Sequence, residues 1–281
     1  MKKITLLFFA ASATLASLAQ NTANKLVLQK GQTIEVTTNM NMTMQTMMGE
    51  IPGTVTSVDH YVVGEVNASG IQLTRMPKKM LATFSAMGQE NKIDSDDPKS
   101  LDNPMAQPIK EMMKQKQDFT IDAYGNVIAL RGSEKKKGDA EGGMMSMMMP
   151  GMGDGLPVVG QASVFKVLPN KEVKAGDVWA DSSSAAGSTK VTVYTVKDIR
   201  DNDIFLTYTG DGSSKGTQSA MGQSVDVAAT SKGEGTIIVD KTTGLLKQRT
   251  ATTSTESTMS IAGNEMKSSG KITTVTTVKT L

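Results

Sequence analysis

The sequence predicts a mainly β protein, an antiparallel curved sheet or half-barrel built from two related meanders, with one or two short helices. Three observations predict it. Short runs rich in Val, Ile and Thr alternate with Asn, Asp and Gly turn signals along most of the chain. The β-α-β alternation that a parallel sheet needs is missing. Several segments recur in the same order.

Residues 1–19 read as an export signal. Lys2 and Lys3 form a positive start, Ile4 to Ala16 an apolar stretch too short to span a bilayer, and Ser17-Leu18-Ala19 a small-residue cleavage site. Cleavage takes Lys+Arg from 30 to 28, equal to the 28 Asp+Glu. A neutral chain has no broad basic surface for nucleic acid. With no cysteine, no disulfide and no lipidated-cysteine anchor can form. The expected protein is therefore periplasmic or secreted, without a transmembrane span once mature, and stands on its core alone.

Residues 20–131 are expected to form the first meander and 161–281 the second. Ser85-Ala86-Met87-Gly88-Gln89 recurs as Ser219-Ala220-Met221-Gly222-Gln223, and Lys30-Gly31-Gln32-Thr33 is echoed by Lys174-Ala175-Gly176-Asp177. Downstream of each five-residue copy comes a strand-turn-strand unit, one turning at Gly125 and the other at Gly244. Residues 104–117 predict a helix across the concave face. Met105, Ile109, Met112 and Met113 share one stripe, Asp102 and Asn103 are available as caps, and Pro108 weakens the first turn, so the helix can begin there. A second short helix is expected over 158–168. Residues 132–160, rich in Gly, Met and charge, form the connector and are expected to be mobile.

Enzyme patterns fail one by one, so no enzyme and no cofactor are expected. One histidine, His60, cannot build a histidine-rich metal site. Ser268-x-x-Lys271 lacks companion motifs, and Gly210 to Lys215 lacks the spacing of a phosphate loop. Asp94-Ser95-Asp96-Asp97 starts like a calcium loop but carries Lys99 and Met105 where Gly and Glu are needed.

Methionine remains, 21 residues in all. Met40, Met42 and Met44 alternate with polar residues and so share one face of a strand, where thioethers fill an apolar layer adaptably. With Met105, Ile109, Met112 and Met113 they are the candidate lining of an apolar ligand site or a plain core. The connector holds Met144, Met145, Met147, Met148, Met149 and Met152. Converging thioethers can hold Cu(I) or Ag(I), so this second set is the alternative, a soft-metal site.

Leu168-Pro169-Asn170-Lys171-Glu172-Val173-Lys174-Ala175-Gly176-Asp177-Val178-Trp179 is similar to the Leu-Pro-x-x-x-Val-Lys-x-Gly-Asp-x-Trp element of an uncharacterised, Met-rich family of exported Bacteroidetes-type proteins, a domain of unknown function. Leu28-x-Lys30-Gly31-Gln32-Thr33, the Asp94 to Pro98 turn and the Asp-x-x-Gly strand pair at Asp122 resemble that family too. The likeness covers most of the mature chain and brings no activity. The expected architecture also resembles, more distantly, the periplasmic lipoprotein-carrier fold that shelters acyl chains. The expectation is a non-enzymatic envelope protein binding a lipid, another apolar small molecule or an envelope protein. A purely structural or surface-interaction module is the remaining alternative.

Overall fold

The computed structural model describes residues 24–46, 49–86, 89–102, 106–131, 156–185, 187–220, 223–261 and 264–281. Residues 1–19, Met105 and the six connector methionines lie outside these, as does most of the connector. Among the described residues twelve strands form one open antiparallel sheet. In chain order they are β1 (Thr33–Thr46), β2 (Gly49–Asn67), β3 (Gly70–Ala86), β4 (Gln89–Asp94), β5 (Gln117–Ile121), β6 (Val127–Arg131), β7 (Val178–Ala185), β8 (Ser188–Arg200), β9 (Asp203–Ala220), β10 (Gln223–Asp240), β11 (Leu246–Ile261) and β12 (Asn264–Thr280). The spatial order is β6-β5-β3-β2-β1-β12-β11-β10-β9-β8-β7, with β4 also on β3. The two halves meet where β1 pairs with β12, from Ile34–Thr280 to Gln45–Ser269.

Several turns, hydrogen bonds and strand pairs recur in both halves. Gly31 (φ +85°) and Gly176 (φ +89°) turn the chain into β1 and β7, in a left-handed conformation that suits glycine. The Gly31 N–H donates to the Val63 carbonyl at 2.8 Å, and the Gly176 N–H to the Val196 carbonyl at 2.9 Å. Ala86 pairs with Gln89, and Ala220 with Gln223, so the copied five-residue segments bridge corresponding hairpins. Asp122 and Asp240 each accept, through Oδ1, the N–H two residues on. The paired residues correspond too. The row Ile34–Tyr61–Arg75–Gln117 in the first half matches Trp179–Tyr194–Tyr208–Gly235 in the second.

One difference sets the architecture. In the second half β10 runs unbroken for 18 residues along β9. The corresponding partner of β3 is split into β4, which pairs with Leu81 to Ala86, and β5, which pairs with Ile71 to Arg75. The chain between them forms a 3-10 turn (Ser100–Asp102) and one helix, α1 (Gln107–Lys114), which packs on β3. The helix is shorter than the expected 104–117. Pro lies in its first turn, and Gln115 is already extended (φ −80°, ψ 100°), leading into β5.

The helix expected over 158–168 is not formed. Gly160 takes φ +84°. Its N–H donates to Val127, Val127 N–H donates to Gln161, and Ser163 N–H donates to Gly125. These bonds run to the β5–β6 hairpin instead of along a helix. Phe165, Val167 and Leu168 are thereby buried in the main core.

That core joins both halves on one face of the sheet. It includes Ile34, Val63, Leu73, Phe119, Val196, Leu206, Ile237 and Leu246. Tyr61 is its aromatic hub, edge-on to Phe165 at 5.0 Å and Phe119 at 6.3 Å. A second cluster lies toward the other end of the same face, under α1.

Candidate functional site

Side chains alternate across a sheet, so register decides which residues share the core face. One row crosses it from β4 to β7. At the N-terminal end stand Ile93, Ala82, Val55 and Met40. The row continues through Thr274, Ala251 and Gly235, and ends in Tyr208, Tyr194 and Trp179. Its two ends differ in chemistry, and they form the two parts of the candidate site.

The N-terminal end is the methionine cluster. Met42, Val55, Met80, Ala82, Ile93, Ala106, Ile109 and Ile272 are buried together. Met40, Phe84, Leu101, Met112 and Met113 pack against them. The structure therefore brings together five of the seven candidate lining residues: Met40, Met42, Ile109, Met112 and Met113. Met44 shares their face but is half-buried one step further along β1. An open cleft of about 600 Å³ touches the cluster at Met42, Gly53 and Phe84, while Asn41, Thr43, Thr54, Thr83 and Glu90 line it from the opposite face of the sheet.

The other end is an aromatic row that no sequence pattern singled out. Trp179 stacks on Tyr194 at 5.2 Å and 14°, and Tyr194 faces Tyr208 at 6.0 Å. Gly235 makes room for Tyr208, since a Cβ there would lie 2.7 Å from the Tyr208 ring. Arg249, on the same face, acts on both phenols. Burial raises the Tyr194 and Tyr208 pKa values, and the Arg249 charge opposes that rise. Trp179 Nε1 and Arg249 Nε are buried without a hydrogen-bond partner among the described residues.

Between the two ends runs a polar belt. Arg75 pairs with Asp59 at 2.8 Å, both nearly buried. Thr38 and Thr276 hydroxyls meet at 3.4 Å, and Thr276 pairs across the sheet with Arg249. Trp179 is visible in the sequence only within the Leu168 to Trp179 element, and Arg249 sits in no motif. The strand order alone makes them neighbours.

The enzyme-like patterns resolve into structure. Ser268 and Lys271 alternate to opposite faces of β12, and Ser268 shares a 2.7 Å hydrogen bond with Ser257. Gly210 to Lys215 is extended strand in β9. The acidic turn is closed by its own bonds, with the Asp96 N–H donating to Asp94 and Lys79 pairing with Asp96 at 2.6 Å. His60 meets Glu35 at 3.1 Å on the opposite face of the sheet.

A family model described as "Family of unknown function (DUF6263)" matches residues 71–246, more than half of the chain. The chain belongs to this family. No curated protein matches it. Among solved structures it is similar to engineered proteins studied for asymmetric conductivity, at 9% identity over 88% of this chain and 100% of the other, with a TM-score of 0.23. It is also similar to an outer membrane channel from Pseudomonas putida F1 (7% identity, 91% and 98% coverage, TM-score 0.23) and to OpdQ of Pseudomonas aeruginosa (7% identity, 90% and 100% coverage, TM-score 0.23). Scores this low do not establish a shared fold. Among the described residues no helix is long and apolar enough to cross a membrane. Within this DUF6263 protein the matched region holds Arg75, α1 and the aromatic row. Met40, Met42 and Arg249 lie outside it.

Proposed function

We propose that this protein is a non-enzymatic, exported envelope protein that binds an apolar ligand on the core face beside α1. The observation that carries the reading is the second apolar cluster. Met40, Met42, Met112 and Met113 group with Ile109 apart from the main core, and Met42 also borders an open cleft. Thioether side chains adapt to irregular apolar shapes, and an apolar layer beside an open cleft suits a ligand better than a sealed interior does. The leader pattern of residues 1–19 supports export. The lack of a cysteine fits a soluble protein in an oxidising compartment.

Native mass spectrometry of the mature protein, purified gently from the cell envelope, tests the reading. A lipid-sized adduct is expected, and it should diminish in Met42→Gln and Met112→Gln variants that still secrete normally. A bare mass, together with no uptake of added lipid, would overturn it. A copper increment in place of lipid would overturn it too, in favour of the connector thioethers.

A further inference from the structure

Among the described residues the open sheet has three outer strands, and they differ in how their edges are guarded. β4 carries Glu90, Lys92 and Asp94 within its six residues. β6 is crossed at its start, where Val127 donates its N–H to Gln161 and accepts from Gly160. Charge and a covering loop both keep other strands away from an edge. β7 has neither. Its eight residues hold one charge, Asp181, and pair with β8 without a bulge. Among the described residues no strand pairs with its other side.

The internal repeat says what kind of neighbour that side takes. Because Trp179–Tyr194 matches Ile34–Tyr61, β7 is the counterpart of β1. β1 has an antiparallel strand, β12, along its outer side from Ile34 to Gln45. An antiparallel strand therefore fits beside β7, and a second copy of the chain offers one unguarded edge, its own β7. A two-fold across such a pair keeps each face on its own side, so opposed residues must share a face. The two longest overlaps that obey this are centred on Asp181 or on Ser182. The first sets Asp181 against its own copy, a like-charge pair. The second sets Asp181 against Ser183 of the second copy and leaves only serine at the axis. It also joins the Val191–Ser182 row of each copy end to end. That row extends an apolar patch in which Val178, Val191 and Val193 are exposed.

We infer that the protein forms a two-fold symmetric dimer in which β7 pairs antiparallel with β7 of a second copy, with Ser182 on the axis. The pairing joins two open sheets into one and takes a bare edge out of solvent. Eight residues of edge are small for an interface, so the dimer is reversible and depends on protein concentration. It is independent of the apolar-ligand reading, since β7 lies at the far end of the strand order from β3, where α1 packs.

The chain has no cysteine, so Ser182→Cys introduces a single thiol. Under mild oxidation this variant is expected to give a disulfide-linked dimer as its main product. Ser184→Cys is the control. Ser184 of one copy faces Ala180 of the other, so the two thiols would stand about 13 Å apart along the strands. That is too far for a disulfide, and the control should stay monomeric on a non-reducing gel. Analytical ultracentrifugation of the wild type from micromolar to millimolar concentration should show a monomer–dimer equilibrium. Ser182→Lys sets two ammonium groups against each other at the axis and should weaken the dimer roughly five-fold or more. Ser182 is exposed, so the variants should fold, and an unchanged circular dichroism spectrum checks this. A wild type that stays monomeric throughout would overturn the inference. So would a dimer in which Ser182→Cys cross-links no better than Ser184→Cys, or one that Ser182→Lys leaves unchanged.

Discussion

Arg75 and Asp59 hold a buried charge pair where the main core gives way to the methionine cluster. Tyr61 adds its hydroxyl to Arg75, and its own pKa is raised by burial. Removing one member strands the other in a low-dielectric layer. Asp59→Ala is expected to cost about 3–5 kcal/mol in chemical denaturation. A loss below about 1 kcal/mol would show that water reaches Arg75. A different cluster, of three residues, contributes to the pH response. Glu35 accepts hydrogen bonds from Lys279 at 2.9 Å and His60 at 3.1 Å, and these lower its pKa from the usual 4.5. A lowered carboxylate pKa adds stability above the ordinary value that is lost as pH falls through the lowered one. Stability should therefore drop below about pH 4.5, and Glu35→Gln should flatten that limb of a pH-dependent melting curve.

At the scale of elements, α1 occupies the place where a continuous strand would run in the second half. Ile109 is its fully buried anchor. Ile109→Ala should cost about 2–5 kcal/mol and loosen the contact with β3, read by hydrogen exchange across Leu81 to Ala86. Exchange unchanged there would show that α1 does not hold the cluster. The aromatic row has its own control residue in Gly235. A Cβ would overlap the Thr250 carbonyl oxygen and crowd Tyr208. Gly235→Ala should lower stability by about 1–3 kcal/mol and weaken the near-UV circular dichroism of the stacked rings. The α1 stripe was readable in the sequence, because Ile109, Met112 and Met113 recur at helical spacing and Pro108 marks the start. The 158–168 segment misled for a physical reason. Its apolar residues look amphipathic, yet the backbones of Gly160, Gln161 and Ser163 bond to the β5–β6 hairpin.

At the scale of the whole molecule, the pairing of β1 with β12 is the seam between two repeated units. Both strands belong to one continuous core face, since Val36 faces Val278 and Met42 faces Ile272. The described chain should therefore unfold in one transition. Trp179 fluorescence, which reports the second half, should coincide with hydrogen exchange of β2 and β3 in the first. Deleting Asn264–Thr280 would leave β1 and β11 unpaired along one side, and it should abolish cooperative unfolding. Two separate transitions in the intact protein would mean that the seam does not couple the halves.

Local chemistry is written in the sequence. Alternating Val, Ile and Thr call for strands, glycine and aspartate fix the turns at Gly31, Gly176, Asp122 and Asp240, and the repeated segments announce two related meanders. Each of these rests on neighbours in the chain, so a linear reading can find it. Which strand meets which was settled only in three dimensions. Arg249 became a neighbour of Tyr208 through β10, and the methionines of β1 met those of α1 across β2 and β3. Those contacts depend on register between segments far apart in the chain. A one-residue slip in register would send the same side chains to the opposite face, so the site exists only once the sheet has closed its pairings.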